Sequence, residues 1–242
     1  MTPGDGRLAK VLALVASEAQ ASDDRPGAAG WMQRLCRVAT RHLPALGVGV
    51  SLFSDTGDHI TFAASDPVCE RIEELQFTLG EGPCLDAHAA GRPVLTPDIV
   101  EESATHWMGY ADAVRDHGVH ATFAFPLQVG AARLGALVVY RDVVGSLSIA
   151  ALTLALTFAE AATGALLDAQ SGRRALGPVR DDEDDTRFER YQAQGMVMVQ
   201  LGVDLTEAMA RMRAHAYSHD RRLTDVANDI VAGKLTLDPD GV

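Results

Sequence analysis

Cys84 and His88 stand four residues apart, a spacing that puts a thiol and an imidazole on one face of a helix. Such a pair could hold a metal or polarise a thiolate. Two ligands do not make a zinc site, however, and no C-x-x-C lies beside them; His106, His117 and His120 would contribute only if folding brought them close. Packing in the core is the plainer reading of Cys84. The three cysteines, Cys36, Cys69 and Cys84, are odd in number and widely spaced, which argues against a disulfide framework and fits a reducing cytoplasm. The glycine-punctuated run Leu79 to Cys84 lacks the Gly-Lys-Ser/Thr of a phosphate-cradling loop, and no G-x-S-x-G or paired-carboxylate signature stands out.

A second set of residues suits nucleic acid. Arg211 and Arg213 flank a line of apolar residues, Tyr217 follows Arg213 by one helical turn, and Arg221 and Arg222 come next. A planar guanidinium forks onto phosphate oxygens, and an aromatic ring beside it offers a platform for an unstacked base. Arginines at a helix N-terminus mildly oppose the macrodipole, so Arg221 and Arg222 either face solvent or serve a ligand. On composition alone, a solvated helical surface accounts for the same residues.

These arginines need helices to present them, and residues 186–234 read as three. The first is expected from about Arg187 to Gln200, opened by a Thr186–Glu189 capping box and stopped by Gly202, with Phe188, Tyr191, Gly195 and Met198 near one face. The second opens with Asp204 and Glu207 and carries the stripe Leu205, Ala208, Met209, Met212 and Ala216. The third carries Leu223, Val226, Ala227, Ile230 and Val231, and Gly233 closes it. Stripes of this kind are buried against one another or against a partner.

Upstream, helices are expected over 7–19, Trp31 to Leu43, Cys84 to Ala90, His106 to His117 and Ser148 to Gln170, and a short helix or a turn over Val68 to Leu75. Strands are expected over Val48 to Phe53, Ile60 to Ala64, Val94 to Thr96, Ala121 to Gln128 and Leu134 to Arg141, with a hairpin turn at Asp55 to Asp58. The mixture predicts an α+β antiparallel sheet with flanking helices, followed by an all-α three-helix domain. Ile149 to Leu167 is long and apolar enough to be weighed as a membrane span. It is rich in alanine, and a carboxylate near its middle, Glu160, costs ~3 kcal/mol on insertion scales. A buried or dimer-interface helix is expected instead. No secretory leader is visible at the start.

The 242 residues carry a net charge of −12, unevenly spread: residues 187–234 hold seven basic and six acidic side chains. Nonspecific attraction to nucleic acid is therefore weak, and any binding rests on a few placed arginines. The division expected is an N-terminal helix and linker (1–30), an α+β domain (31–170), an acidic linker (171–185), the three-helix domain (186–234) and a tail (235–242). The linker run Asp181 to Asp185 reads as solvated, its last acids favouring the following helix N-terminus. A sharper alternative has it mimic RNA and occupy the arginine face.

Tyr191 to Val231 resembles the ANTAR domain, an RNA-binding module of bacterial antitermination regulators. The likeness lies in an ordered series: Ala193-Gln194-Gly195, Gly202-Val203, Ala208 through Arg213, Arg221-Arg222-Leu223 and Asp225-Val226-Ala227. The family usually has lysine where this chain has Gln194, which removes one positive charge from the expected RNA face. Leu79 to Arg141 looks like the GAF domain that precedes ANTAR in many actinobacterial regulators, and the GAF-like part extends over Trp31 to Gln170. GAF domains resemble PAS domains and hold varied small molecules on one face of the sheet; no particular ligand follows from this match.

The resemblance implies binding to RNA stem-loops in nascent transcripts; a cytoplasmic regulator is expected, homodimeric because the apolar Ser148 to Gln170 helix and a face of the first C-terminal helix offer long surfaces to bury, without membrane, DNA or catalysis. Gln194, Arg213, Tyr217, Arg221 and Arg222 are the expected RNA contacts, and a small molecule in the GAF-like pocket is the expected signal. Two alternatives stand beside it: a protein-interaction module without RNA, and a thiol enzyme like the GAF-type methionine sulfoxide reductases. The latter would need a depressed Cys84 pKa, and the three cysteines do not match the arrangement it requires.

Overall fold

The computed structural model describes residues 3–22, 24–53, 59–103, 106–170 and 182–238. The chain divides into two compact units, residues 1–179 and 180–242. In the first, the helices are α1 (Pro3–Ser17), α2 (Gly27–His42), α3 (Pro67–Leu79), α4 (Pro83–Ala90), α5 (Ile99–Ser103), α6 (Met108–Asp116) and α7 (Ile149–Gln170). The strands are β1 (Gly47–Phe53), β2 (His59–Ala64), β3 (Val94–Thr96), β4 (Ala121–Val129) and β5 (Ala132–Arg141). They form one antiparallel sheet in the order β2-β1-β5-β4-β3.

Helices cover this sheet on both faces, and alternation along the strands sorts side chains between two cores. Val48, Val50, Phe123, Phe125, Leu137 and Val139 join Leu35 of α2 and Phe158 of α7 in one core. Ala124, Ala136, Val138 and Tyr140, the intervening positions of β4 and β5, join Cys69, Ile72, Cys84 and Tyr110 in the other. Helix α7 thus serves as a cover for the sheet: Ala155, Phe158, Ala162 and Ala165 are buried, while Ile149, Leu156 and Glu160 are exposed. By length and composition alone it could also cross a membrane. Two glycines are demanded by geometry. A Cβ at Gly49 would lie 2.4 Å from Cγ of Glu73, and Gly130, with φ +59, turns β4 into β5.

Several elements depart from their expected bounds. Helix α3 runs on to Leu79, where Gly80 in the left-handed conformation ends it, and its start is capped by Asp66, which accepts from Val68 N and Cys69 N at 2.9 Å. Helix α5 is an element the periodicity does not announce. The expected hairpin turn at Asp55 to Asp58 lies outside the described residues.

The second unit holds α8 (Asp182–Leu201), α9 (Leu205–Ser218) and α10 (Leu223–Val231). Ala193, Val197, Ala208, Met212, Ala216, Leu223, Val226, Ala227, Ile230 and Leu237 are the buried apolar residues described in it; the second and third helices follow their expected stripes except at Leu205, which opens α9 and is 51% exposed, and at Met209 and Val231, which are half-buried. The first helix is corrected in two ways. It starts at Asp182, which makes Thr186 an interior position rather than a cap and takes most of the acidic run into the helix. Its buried face runs through Arg190, Ala193 and Val197, and Tyr191 is 43% exposed. Glu189 faces α10: with the Asn228 amide turned so that its oxygen and nitrogen both find partners, the nitrogen donates to Glu189 Oε2 at 2.6 Å. The side chains of the acidic run lie outside the described residues.

Candidate nucleic-acid interface

Helix α9 carries two of the five expected contacts, Arg213 and Tyr217, and its start is firmly made. Asp204 Oδ1 accepts from Glu207 N at 2.8 Å, satisfying an orphan amide of the first turn. Gln194 Nε2 donates to the carbonyl of Leu205 at 2.7 Å, so the position where the lysine is missing stitches α8 to α9. With Ala208, Met212 and Ala216 turned inward, the helical period leaves two flanks. Arg213 and Tyr217 share one; Arg213 is half-buried and Tyr217 is 48% exposed. Arg211, His215 and Ser218 share the other.

The turn into α10 sorts the remaining arginines. Asp220 adopts φ +49, a left-handed conformation that aspartate tolerates better than most residues. Arg221 folds back over α10: its Nη2 donates to Asp229 Oδ2 at 2.6 Å. Arg222 occupies the N-cap position of α10 and is exposed. The structure therefore brings Arg213 and Tyr217 to one flank, leaves Arg222 at the adjacent turn, and commits Gln194 and Arg221 to bonds within the unit.

Three features of this unit lie beyond the sequence reading. Arg190 is only 5% exposed within the bundle. His215 and His219 stack with centroids 4.0 Å apart and 22° between planes; their H-x-x-x-H spacing was the available signal. Burial, then His219 and Arg221, holds the His215 imidazole below its ordinary value. Beyond α10, Leu237 is 6% exposed and its carbonyl accepts from Gln200 Nε2. The strap so anchored faces α9 across a cleft of about 220 Å³.

The first unit contains a buried polar cluster on the α3 side of its sheet. Glu73 is 0% exposed. Ser51 Oγ donates to its Oε2 and Tyr140 Oη to its Oε1, each at 2.6 Å. Gln76 Nε2 donates to Tyr140 Oη at 3.0 Å, while Cys84 N donates to Gln76 Oε1 at 2.7 Å. Burial pushes the Glu73 carboxyl up to about 7, against the two hydrogen bonds that favour its charged form. Burial likewise raises all three thiols, the opposite of what a nucleophilic Cys84 needs. His88 stacks on Phe53 at 3.8 Å and 5°, and burial, then Arg133, lowers its pKa. Cys84 and His88 are thus packed into different surroundings. Among the described residues, no group of three or more His, Cys, Asp or Glu is placed to hold a metal ion.

Residues 30–166 match the model of the GAF domain family, and residues 186–231 match that of the ANTAR domain. Among solved structures, the chain is similar to the GAF domain of a Coxiella burnetii phosphoenolpyruvate-protein phosphotransferase, at 14% identity and a TM-score of 0.52, over 70% of this chain and 95% of that one. It is also similar to the GAF domain of the Acinetobacter phosphoenolpyruvate-protein phosphotransferase, at 10% identity and a TM-score of 0.50, over 71% of this chain and 97% of that one. These likenesses concern the fold alone. No curated protein matches the chain.

Proposed function

Because the chain belongs to the GAF-domain family and carries an ANTAR domain behind it, we propose that it binds stem-loops in nascent transcripts and favours an antiterminator over a terminator. At the level of the family, this architecture is that of a signal-sensing regulator with an RNA-binding antitermination role. The observation that carries the finer reading is the ANTAR match, joined to a helix that presents a half-buried arginine and an exposed tyrosine on one flank. Arg213 and Arg222 contact phosphates or base edges, and Tyr217 stacks on a base. Gln194 offers its carbonyl oxygen, since its nitrogen is bonded to Leu205. Arg221 braces the turn through Asp229 and reaches RNA only by leaving that bond.

The protein acts in the cytoplasm as a homodimer on RNA rather than DNA, and without catalysis. Exposed Ile149, Leu156 and Leu167 of α7 supply apolar surface for a second copy. A small molecule held by the GAF domain shifts the spacing of paired ANTAR domains if it binds two dimer states unequally. Sedimentation that shows a monomer with and without RNA would remove this mechanism. The primary test is binding of the full chain to a two-hairpin leader from its own genome, against a loop-scrambled control, in moderate salt. Tight, loop-dependent binding is expected. Equal binding of intact and scrambled loops across several leaders overturns the reading in favour of a protein-binding tail.

A further inference from the structure

The outward stripe of α7 is more regular than a solvated face needs to be. Ile149, Thr153, Leu156, Glu160, Thr163 and Leu167 follow one another at steps of four, three, four, three and four residues, the 3.5-residue alternation of a coiled-coil seam. Ile149 is 86% exposed, Leu156 45% and Leu167 37%; Glu160 is exposed and the two threonines are half-buried. Both threonine hydroxyls are bonded back into the helix. Thr153 Oγ1 donates to the carbonyl of Ile149 at 2.7 Å, and Thr163 Oγ1 donates to that of Ala159 at 2.9 Å, so neither needs a partner across the seam. Gly164 lies beside the stripe. A glycine inside a helix is destabilising relative to alanine, yet a Cβ there would meet nothing within 4 Å among the described residues. Nothing described in the unit asks for that glycine, whereas a helix packed closely from outside would.

Charge selects the occupant. Helix α7 contains no lysine or arginine, so the stripe repels a phosphate backbone. Each copy of the chain carries −12, and two copies approach best on a face with little charge. Only Glu160 is ionisable among the six seam residues. A parallel pair would set Glu160 against Glu160. An antiparallel pair centred on residue 158 sets Ile149 against Leu167, Thr153 against Thr163 and Leu156 against Glu160. The stripe then matches itself when reversed, as an interface with a two-fold axis requires, and each carboxylate faces a leucine instead of a second carboxylate.

We propose that α7 pairs antiparallel with α7 of a second copy of this chain, centred on residue 158, with Leu156 of each copy against Glu160 of the other. The inference rests on the homodimer proposed above and gives it an axis and a register. At a rise of about 1.5 Å per residue, the two chains leave the seam ~36 Å apart at residue 170, so the linkers to the two RNA-binding units start far apart rather than side by side.

The test uses the full chain. Sedimentation equilibrium is run on wild type, Leu156→Glu and the double variant Leu156→Glu/Glu160→Lys, each checked for unchanged far-UV circular dichroism. Wild type is expected to dimerise. Leu156→Glu sets like charges together and should weaken the dimer on the order of 100-fold, and the double variant, with opposite charges facing, should recover roughly tenfold or more of that loss. Orientation is read by disulfide trapping, since the three native cysteines are buried. Ile149→Cys and Leu167→Cys chains should cross-link when mixed and not when either is alone. Each variant linking only to itself shows a parallel pair and overturns the proposal. A wild-type dimer that Leu156→Glu leaves unchanged forms on another face, which sinks the seam and leaves the homodimer standing. A monomeric wild type removes both together, as does one that instead co-sediments with phosphatidylcholine vesicles; RNA binding is judged separately by the leader assay.

Discussion

Arg213 and Tyr217 share a flank because they are four residues apart on a helix whose other side is buried. Arg213→Ala should therefore weaken a cognate leader several-fold and lower the salt slope by about one unit, the signature of one lost phosphate contact. A normally folded variant with undiminished affinity would refute that role. Glu73 makes a different kind of prediction. Its carboxyl titrates near 7 in the folded chain against an ordinary 4.5, so the folded state holds the proton more tightly. Stability is fully present below about pH 4.5 and is lost as pH rises through 7, by ~3 kcal/mol in all. The melting temperature of wild type, relative to that of Glu73→Gln, should fall between pH 5 and pH 8. Parallel profiles for the two proteins would show that Glu73 is not the group responsible.

At the scale of the element, the cap at Asp204 is the simplest feature to test. Asp204→Ala removes an acceptor from the first turn of α9 and should cost ~1 kcal/mol. In a unit this small that lowers the melting temperature by about 4–8 °C, read by circular dichroism on the isolated C-terminal unit. The cap was legible because its signal, Asp204 with Glu207, is local. So were β3 and α9, whose turn residues and stripes are contiguous in sequence. Thr186 and Glu189 display the same local signal, yet there the helix continues upstream to Asp182, so the pattern falls inside the element rather than at its start. α5 is five residues long, too short for a helical period to declare itself. What the sequence could not display are partnerships across long separations. Glu73 finds Ser51 22 residues away and Tyr140 67 residues away, and Gln200 finds Leu237 37 residues away. A lone Glu in an amphipathic helix carries no sign that it is buried.

For the molecule as a whole, the division into units 1–179 and 180–242 implies that the second has its own core. A fragment of residues 180–242 should be helical and bind a cognate two-hairpin leader, with a lower melting temperature than larger domains, because so short a chain buries a smaller share of its surface. An unfolded fragment would show that the helices need the rest of the chain. At the candidate interface, spacing placed Arg213 and Tyr217 on one flank of α9, but not the bonds that hold Gln194 to Leu205 and Arg221 to Asp229, nor the return of residue 237 to α9, since those partners lie farther along the chain.

The buried carboxyl of Glu73 also leaves a mark on heat. At pH 6 the folded chain holds the proton and the unfolded chain releases nearly all of it. The calorimetric enthalpy of unfolding then includes the protonation of whichever buffer takes it up. Scans in phosphate and in Tris, matched in pH at the melting point, should differ by close to the difference in the two buffers' ionisation heats, and Glu73→Gln should erase that difference.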